Sequence, residues 1–164
     1  MVATIDHIGI SVPDIQKGID WYKSTFQIYQ MSEIMEVSAV DDEIASDVFG
    51  EKMKNFKIVH MCTTDGIGIE LFQFTEPKNE RLENNFEYWK TSIFHLAFTV
   101  TNIEEVCKTI NSTGGKKRSN IWKLFKDKPY KICYCEDPWG NILEISSHPY
   151  SVIWSNYTQP HKYS

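Results

Sequence analysis

Two histidines and two glutamates are the residues of this sequence best suited to hold a metal ion. His7 lies in DHIGISV, Glu70 in GIGIELF, His95 in FHLAFTV and Glu144 in NILEIS. Each run alternates apolar with small or polar residues, the pattern of a half-buried strand whose neighbours point to opposite faces. Ile8, Ile10 and Val12 share one face, and His7, Gly9 and Ser11 the other; Leu96, Phe98 and Val100 likewise oppose His95, Ala97 and Thr99. Ile69 and Leu71 oppose Glu70, as Leu143 and Ile145 oppose Glu144. A lone strand histidine or glutamate is ordinarily hydrogen-bonded or solvated. Four such residues, all on the faces away from the aliphatic side chains, would be costly to gather without a cation. Two imidazoles and two carboxylates suit one borderline divalent ion: Zn, Ni, Co, Mn or Fe. On an octahedral ion they leave two positions, which a substrate could occupy as a chelate. His60 shares a strand face with Ile58 and Cys62.

The elements that must position these residues occur twice. Laying 5–26 (IDHIGISVPDIQKGIDWYKSTF) on 93–114 (IFHLAFTVTNIEEVCKTINSTG) puts His7 on His95, Val12 on Val100 and Ile15 on Ile103. Each segment is a strand followed by a helix start. Pro13-Asp14 precedes the helical spacing Ile15, Ile19, Tyr22, Phe26, while Asn102 is the N-cap expected for Ile103, Val106 and Ile110 before Gly114-Gly115 ends that helix. Laying 56–72 on 130–146 aligns a second repeated unit, a hairpin with Asp65-Gly66 in one turn and Asp137-Pro138-Trp139-Gly140-Asn141 in the other. Here Glu70 falls on Glu144 and His60 on Tyr134. The expected fold class is α+β: two tandem βαβββ modules, about 4–74 and 93–148, within one domain spanning 1–150. Leu82, Phe86 and Trp89 suggest a linker helix over about 79–90, and 151–164 reads as a C-terminal tail.

Composition bounds the rest. The chain has 164 residues and a net charge of −5, which argues against a protein built to coat nucleic acid phosphates. At 41% hydrophobic residues it can form a packed core, and its longest apolar run, Ile93 to Val100, is far too short to span a bilayer. The N-terminus lacks a secretory pattern, and Cys62, Cys107, Cys133 and Cys135 form no CxxC pair, so the expectation is reduced thiols and a cytoplasmic setting without membrane association. The CxC of Cys133 and Cys135 could bind metal, but positions two apart on a strand more often bury two small apolar side chains. The acids from Glu33 to Glu51, with no Lys or Arg among them, read as an exposed loop or short helix. Lys116, Lys117 and Arg118 could meet an anionic substrate group, and Trp21, Trp122, Phe125 and Trp139 could line its mouth.

IDHIGISVPDIQKGIDWY, GIGIELFQF, FHLAFTVTNIEEVCKTI and EDPWGNILEI, in that order, resemble the vicinal oxygen chelate superfamily, also called the glyoxalase/bleomycin-resistance/dioxygenase group. The resemblance runs from about residue 4 to 148. It implies modules that form one curved open barrel around a metal site, with His7, Glu70, His95 and Glu144 as ligands. It also implies a homodimer. Members with this type of ligand set include lactoylglutathione lyases and methylmalonyl-CoA epimerases, so the resemblance implies a lyase or isomerase acting on a thiol adduct or acyl-CoA. In the lyase reading Glu144 is the base and Glu70 its partner; in the epimerase reading His60 is the second base, where that group has a carboxylate. Metal-free drug binders of the bleomycin-resistance type lack such ligands, extradiol dioxygenases use two His and one Glu on Fe(II), and fosfomycin thiol transferases use three protein ligands. The full set in this sequence favours the lyase or isomerase.

Overall fold

The computed structural model describes residues 3–155. The chain divides into two compact units, Met1–Arg81 and Leu82–Ser164. The first contains β1 (His7–Ser11), α1 (Ile15–Phe26), β2 (Tyr29–Gln30), β3 (Met35–Ser38), α2 (Glu43–Phe49), β4 (Asn55–Cys62) and β5 (Gly68–Glu76). The second contains β6 (Leu96–Thr99), α3 (Ile103–Ser112), β7 (Lys116–Lys117), β8 (Trp122–Lys123), β9 (Lys131–Glu136), β10 (Ile142–Ser146) and α4 (Tyr150–Trp154). Each unit has one mixed five-stranded sheet that does not close on itself, ordered β1-β5-β4-β2 and β6-β10-β9-β7. In both, the first strand pairs parallel with the last and the hairpin is antiparallel.

The expected three strands after each helix appear as a continuous hairpin plus an interrupted edge. β2 and β3 pair with successive parts of β4, and β7 and β8 do the same with β9. The two interruptions are built alike. Met31 and Ser32 both donate their backbone N–H to the His60 carbonyl, and Arg118 and Ser119 both donate to the Tyr134 carbonyl. The serine hydroxyl then accepts from the backbone N–H of the same partner residue, at 3.0 Å for Ser32–His60 and 2.9 Å for Ser119–Tyr134.

Local signals explain the long helices. The Asp14 carboxylate accepts from Lys17 N–H at 3.1 Å, and Asn102 Oδ1 accepts from Glu105 N–H at 3.1 Å, satisfying first-turn donors that have no intrahelical partner. α1 buries Ile15, Ile19 and Tyr22, and α3 buries Ile103, Cys107 and Ile110. The inward residues of the sheets include Val59, Met61, Ile69 and Leu71 in the first unit and Cys133, Cys135, Leu143 and Ile145 in the second. The Lys17 N–H, and secondarily the Lys17 ammonium, hold the Asp14 carboxyl below the usual carboxylate range. Asp14→Ala is expected to cost about 0.5–2 kcal/mol in urea unfolding near neutral pH. Because the folded-state carboxyl is the more acidic one, this advantage is complete above the unfolded-state pKa and lost as pH falls through the folded-state value.

Three sequence expectations are corrected. No helix occupies 79–90: the segment runs through turns and bends, with Leu82 and Trp89 exposed. Asparagine side chains compete with helix there, because Asn84 Oδ1 accepts from Phe86 N–H at 3.0 Å and Asn85 donates its amide to the Gly140 carbonyl. The C-terminal segment 151–164 is not wholly a tail, since α4 buries Ile153 and packs Trp154 against Phe125; residues 156–164 lie outside the described residues. The acidic stretch contains both β3 and α2 rather than an exposed loop or helix alone, and it covers an apolar face. Ala39, Ala45, Phe56 and Ile58 form a second small core there, flanked by Phe72 and Phe74. Among the described residues, no helix is long and apolar enough to cross a membrane.

Candidate metal and proton-transfer residues

In the first unit Glu70 sits between two histidines. Parallel pairing sets it opposite Gly9, one strand period beyond His7, and antiparallel pairing sets it opposite His60. His7 Nε2 lies 3.7 Å from Glu70 Oε2, and His60 Nε2 lies 3.3 Å from Oε1. Asp6 meets the other His7 nitrogen, Nδ1, at 2.7 Å. That hydrogen bond first, and the Glu70 charge second, raise the imidazole pKa above its ordinary value. Ser32 Oγ approaches His60 Nδ1 at 3.3 Å, so the interrupted edge holds both the backbone and the ring of His60.

Gly68 makes room for His7, its register partner in β1. A Cβ at position 68 would lie 2.8 Å from His7 Cβ, closer than side-chain carbons approach. Gly68→Ala is expected to displace His7 and weaken metal binding by at least about tenfold, the lower end of what disturbing a ligand's support costs. Competition with a chromophoric chelator measures it; unchanged affinity would mean that His7 placement does not matter to the ion.

The second unit repeats the pair. Glu144 is opposite Ala97 on parallel β6 and opposite Tyr134 on antiparallel β9, while His95 directly precedes β6. His95 Nε2 lies 3.5 Å from Glu144 Oε2. The Tyr134 hydroxyl donates to Glu144 Oε2 at 2.8 Å, and Ser146 Oγ donates to Oε1 at 3.3 Å. Burial first, and then the hydrogen bond to Glu144, push the Tyr134 phenol above its ordinary value, so it remains a donor throughout the accessible pH range. His95 Nδ1 is buried without a hydrogen-bond partner.

Tyr134 also lines a cavity of about 450 Å³ with Phe86, Tyr88, Phe94, Arg118 and Ser119. The Arg118 guanidinium lies 4.0 Å from the centre of the Phe86 ring, and its Nη1 is 3.5 Å from Glu136 Oε2. Of the basic trio only Arg118 reaches the cavity; Lys116 and Lys117 are exposed. Of the aromatic residues that could line a mouth, Trp21 and Phe125 are buried packing residues, the commoner role of such side chains, and Trp122 is exposed; Phe86, Tyr88 and Phe94 supply the cavity wall. No alternation marks these three, because they lie in the irregular 82–94 segment.

Residues 4–145 match the sequence profile of the Glyoxalase/Bleomycin resistance protein/Dioxygenase superfamily. No curated protein sequence matches. Among solved structures, a glyoxalase family protein from Bacillus cereus is similar with a TM-score of 0.74 at 20% identity, over 89% of this chain and 94% of that one. The fosfomycin resistance protein FosX of Listeria monocytogenes, complexed with Mn(II) and sulfate, gives 0.58 at 14% identity, over 92% and 97%. Glyoxalase I from Zea mays gives 0.58 at 17% identity, over 88% of this chain and 44% of that one. At these identities the likeness establishes the fold.

Proposed function

As this chain belongs to the Glyoxalase/Bleomycin resistance protein/Dioxygenase superfamily, that is, the vicinal oxygen chelate superfamily, we propose that it is a metal-dependent lyase or isomerase. It takes a small substrate of the thiol-adduct or acyl-CoA class, with His7, Glu70, His95 and Glu144 as the protein ligands. The observation that carries this reading is the repeated pair: in each unit a histidine Nε2 faces a glutamate oxygen, at 3.7 Å and 3.5 Å. Neighbouring donors on an ion about 2.1 Å away lie roughly 3 to 3.4 Å apart, so each pair is within a few tenths of an ångström of chelating distance. The Asp6 carboxylate on His7 Nδ1 suits a ligating histidine, because it fixes the proton there and leaves Nε2 its lone pair.

An ion held by these four residues would supply Lewis-acid stabilisation of the charge that develops as a proton leaves the carbon beside a carbonyl. Glu70 and His60 carry that proton: Glu70 accepts it, and His60 at 3.3 Å relays it. Glu144 is held by two hydroxyls; in the lyase-type alternative it is instead the base, with Glu70 as its partner. The cavity beside Tyr134, aromatic with one guanidinium, takes the far end of the substrate.

Solvent-deuterium exchange at the carbon beside the carbonyl tests the reading. The metal-loaded chain is offered hemithioacetals of 2-oxoaldehydes and acyl-CoA epimers, with exchange followed by NMR. Exchange that requires the metal and falls by at least about 100-fold in Glu70→Gln, the lower bound for removing a general base, is the expected result. Full exchange in Glu70→Gln, or none on either class with the metal retained, overturns it.

A further inference from the structure

Three thiols outside the His–Glu pairs meet in the second unit. Cys133 and Cys135 lie on the side of β9 that packs against α3, and Cys107 projects from α3 toward them. The sulfurs of Cys133 and Cys135 are 3.9 Å apart, those of Cys135 and Cys107 are also 3.9 Å apart, and all three lie within 4.8 Å of one another. All are buried, at 2% exposure or less. Three sulfurs in a plane at the zinc–sulfur distance of about 2.3 Å would be spaced by roughly 4 Å, and around a larger d10 ion somewhat more. We propose that Cys107, Cys133 and Cys135 form a second metal site, a three-thiolate site for a thiophilic divalent d10 ion of the Cd(II) or Hg(II) type.

The donor set is soft throughout, with no imidazole or carboxylate in the cluster, which selects against Mg, Mn and Ca. Binding is a simple exchange: three S–H bonds give up their protons, three metal–sulfur bonds form, and the product carries one net negative charge. Hydrogen bonds from the Cys107 and Cys135 thiols and the Ser119 hydroxyl hold the Cys133 thiol toward its thiolate, and the Lys117 ammonium acts in the same direction. The same shared hydrogen bonds, with burial, push the Cys107 and Cys135 thiols up, so the incoming ion itself must displace those two protons. Access is through the interrupted edge. Ser119, between β7 and β8, lies 3.8 Å from Cys133 Sγ through its hydroxyl and also lines the cavity. The proposal does not rest on the His–Glu reading.

The test is titration of the reduced full-length chain with Cd(II), following the ultraviolet thiolate-to-cadmium charge-transfer band, the cadmium NMR shift, and the near- and far-ultraviolet circular dichroism. A band that saturates at about one ion per chain is expected, with a shift in the sulfur-ligand range and the fold intact. It should persist in His95→Ala and Cys62→Ala and disappear in Cys133→Ala and Cys107→Ala. The absence of a band from the folded native chain overturns the proposal, as does a band that survives both cluster variants or appears only as near-ultraviolet dichroism is lost. If either cluster variant fails to fold, the native chain's cadmium shift decides, because a nitrogen and oxygen donor set resonates far from a sulfur one.

Discussion

Loaded with Ni(II), Co(II), Zn(II) or Mn(II) and then desalted, the native chain retains about one ion at the His–Glu ligands, and His95→Ala retains none there. Removing only the outer partner of a metal-bound histidine typically costs 10- to 100-fold in affinity, so removing the histidine itself costs at least about 100-fold. The fold should survive the change. His95 directly precedes β6, its Nδ1 makes no hydrogen bond, and Glu144, which its Nε2 faces, keeps the Tyr134 and Ser146 hydroxyls as donors. Asp6→Ala is the graded companion: His7 remains but loses the carboxylate 2.7 Å from its Nδ1, and affinity should fall by about 10- to 100-fold. Elemental analysis on all three chains, with circular dichroism to confirm folding, measures the series. The Cys107, Cys133 and Cys135 cluster is blocked beforehand by substitution or excluded by using Mn(II), which thiols hold poorly. Equal Mn(II) retention in native and His95→Ala chains would remove His95 from the ligand set.

The second large effect is expected at Tyr134, which the sequence alone marks only as the repeat counterpart of His60. Tyr134→Phe deletes a hydroxyl and keeps the ring that packs edge-on against His95 at 5.6 Å. What is lost is the 2.8 Å hydrogen bond that the phenol donates to Glu144 Oε2. Such bonds are worth about 1.5–3 kcal/mol, equivalent to roughly a 10- to 100-fold loss in any step that depends on the placement of Glu144. Ser146 still donates to the other oxygen, so Glu144 is loosened rather than freed. Metal affinity and turnover should fall together, with the unfolding temperature lower by several degrees. Because the phenol stays protonated, the native-to-variant ratio should be flat across the accessible pH range. A ratio that changed with pH would indicate that Tyr134 titrates rather than simply donating.

Much of this arrangement was legible in the sequence because strand alternation and internal repetition leave sharp marks. His7, Glu70 and Glu144 occupy the strand faces that parity gives them, His95 directly precedes its strand, and laying Glu70 on Glu144 puts His60 on Tyr134, the residues that face those glutamates across the hairpins. Asp14 and Asn102 announced their helices through a cap whose chemistry is local. Long-range contacts were not legible. Ser32 and Ser119 perform the same task in the two units, yet each is one serine in a dissimilar loop, and its role depends on a carbonyl and an N–H in a strand far along the chain. The spacing of Leu82, Phe86 and Trp89 suggested a helix because periodicity cannot show that Asn85 is drawn to the Gly140 carbonyl. The polar face expected of the first sheet also changes character along its length, from Glu70 and His60 to Phe56, Phe72 and Phe74, which only the cover supplied by α2 explains.

The interrupted edges also bear on how the chain behaves when concentrated. An open sheet exposes unpaired backbone donors and acceptors along its outer strand, and a long straight edge invites another chain to extend the ladder. Here one edge of each sheet is cut in two, and its longest uninterrupted piece is the four-residue β3; the opposite edges are β1, of five residues, and β6, of four. The interrupted edge of the second sheet also carries Lys116, Lys117 and Lys123, so a strand approaching there would meet stacked positive charge. The serine-bracketed break that holds His60 and Tyr134 in register with their glutamates thus also blunts that edge of each sheet as a template for aggregation.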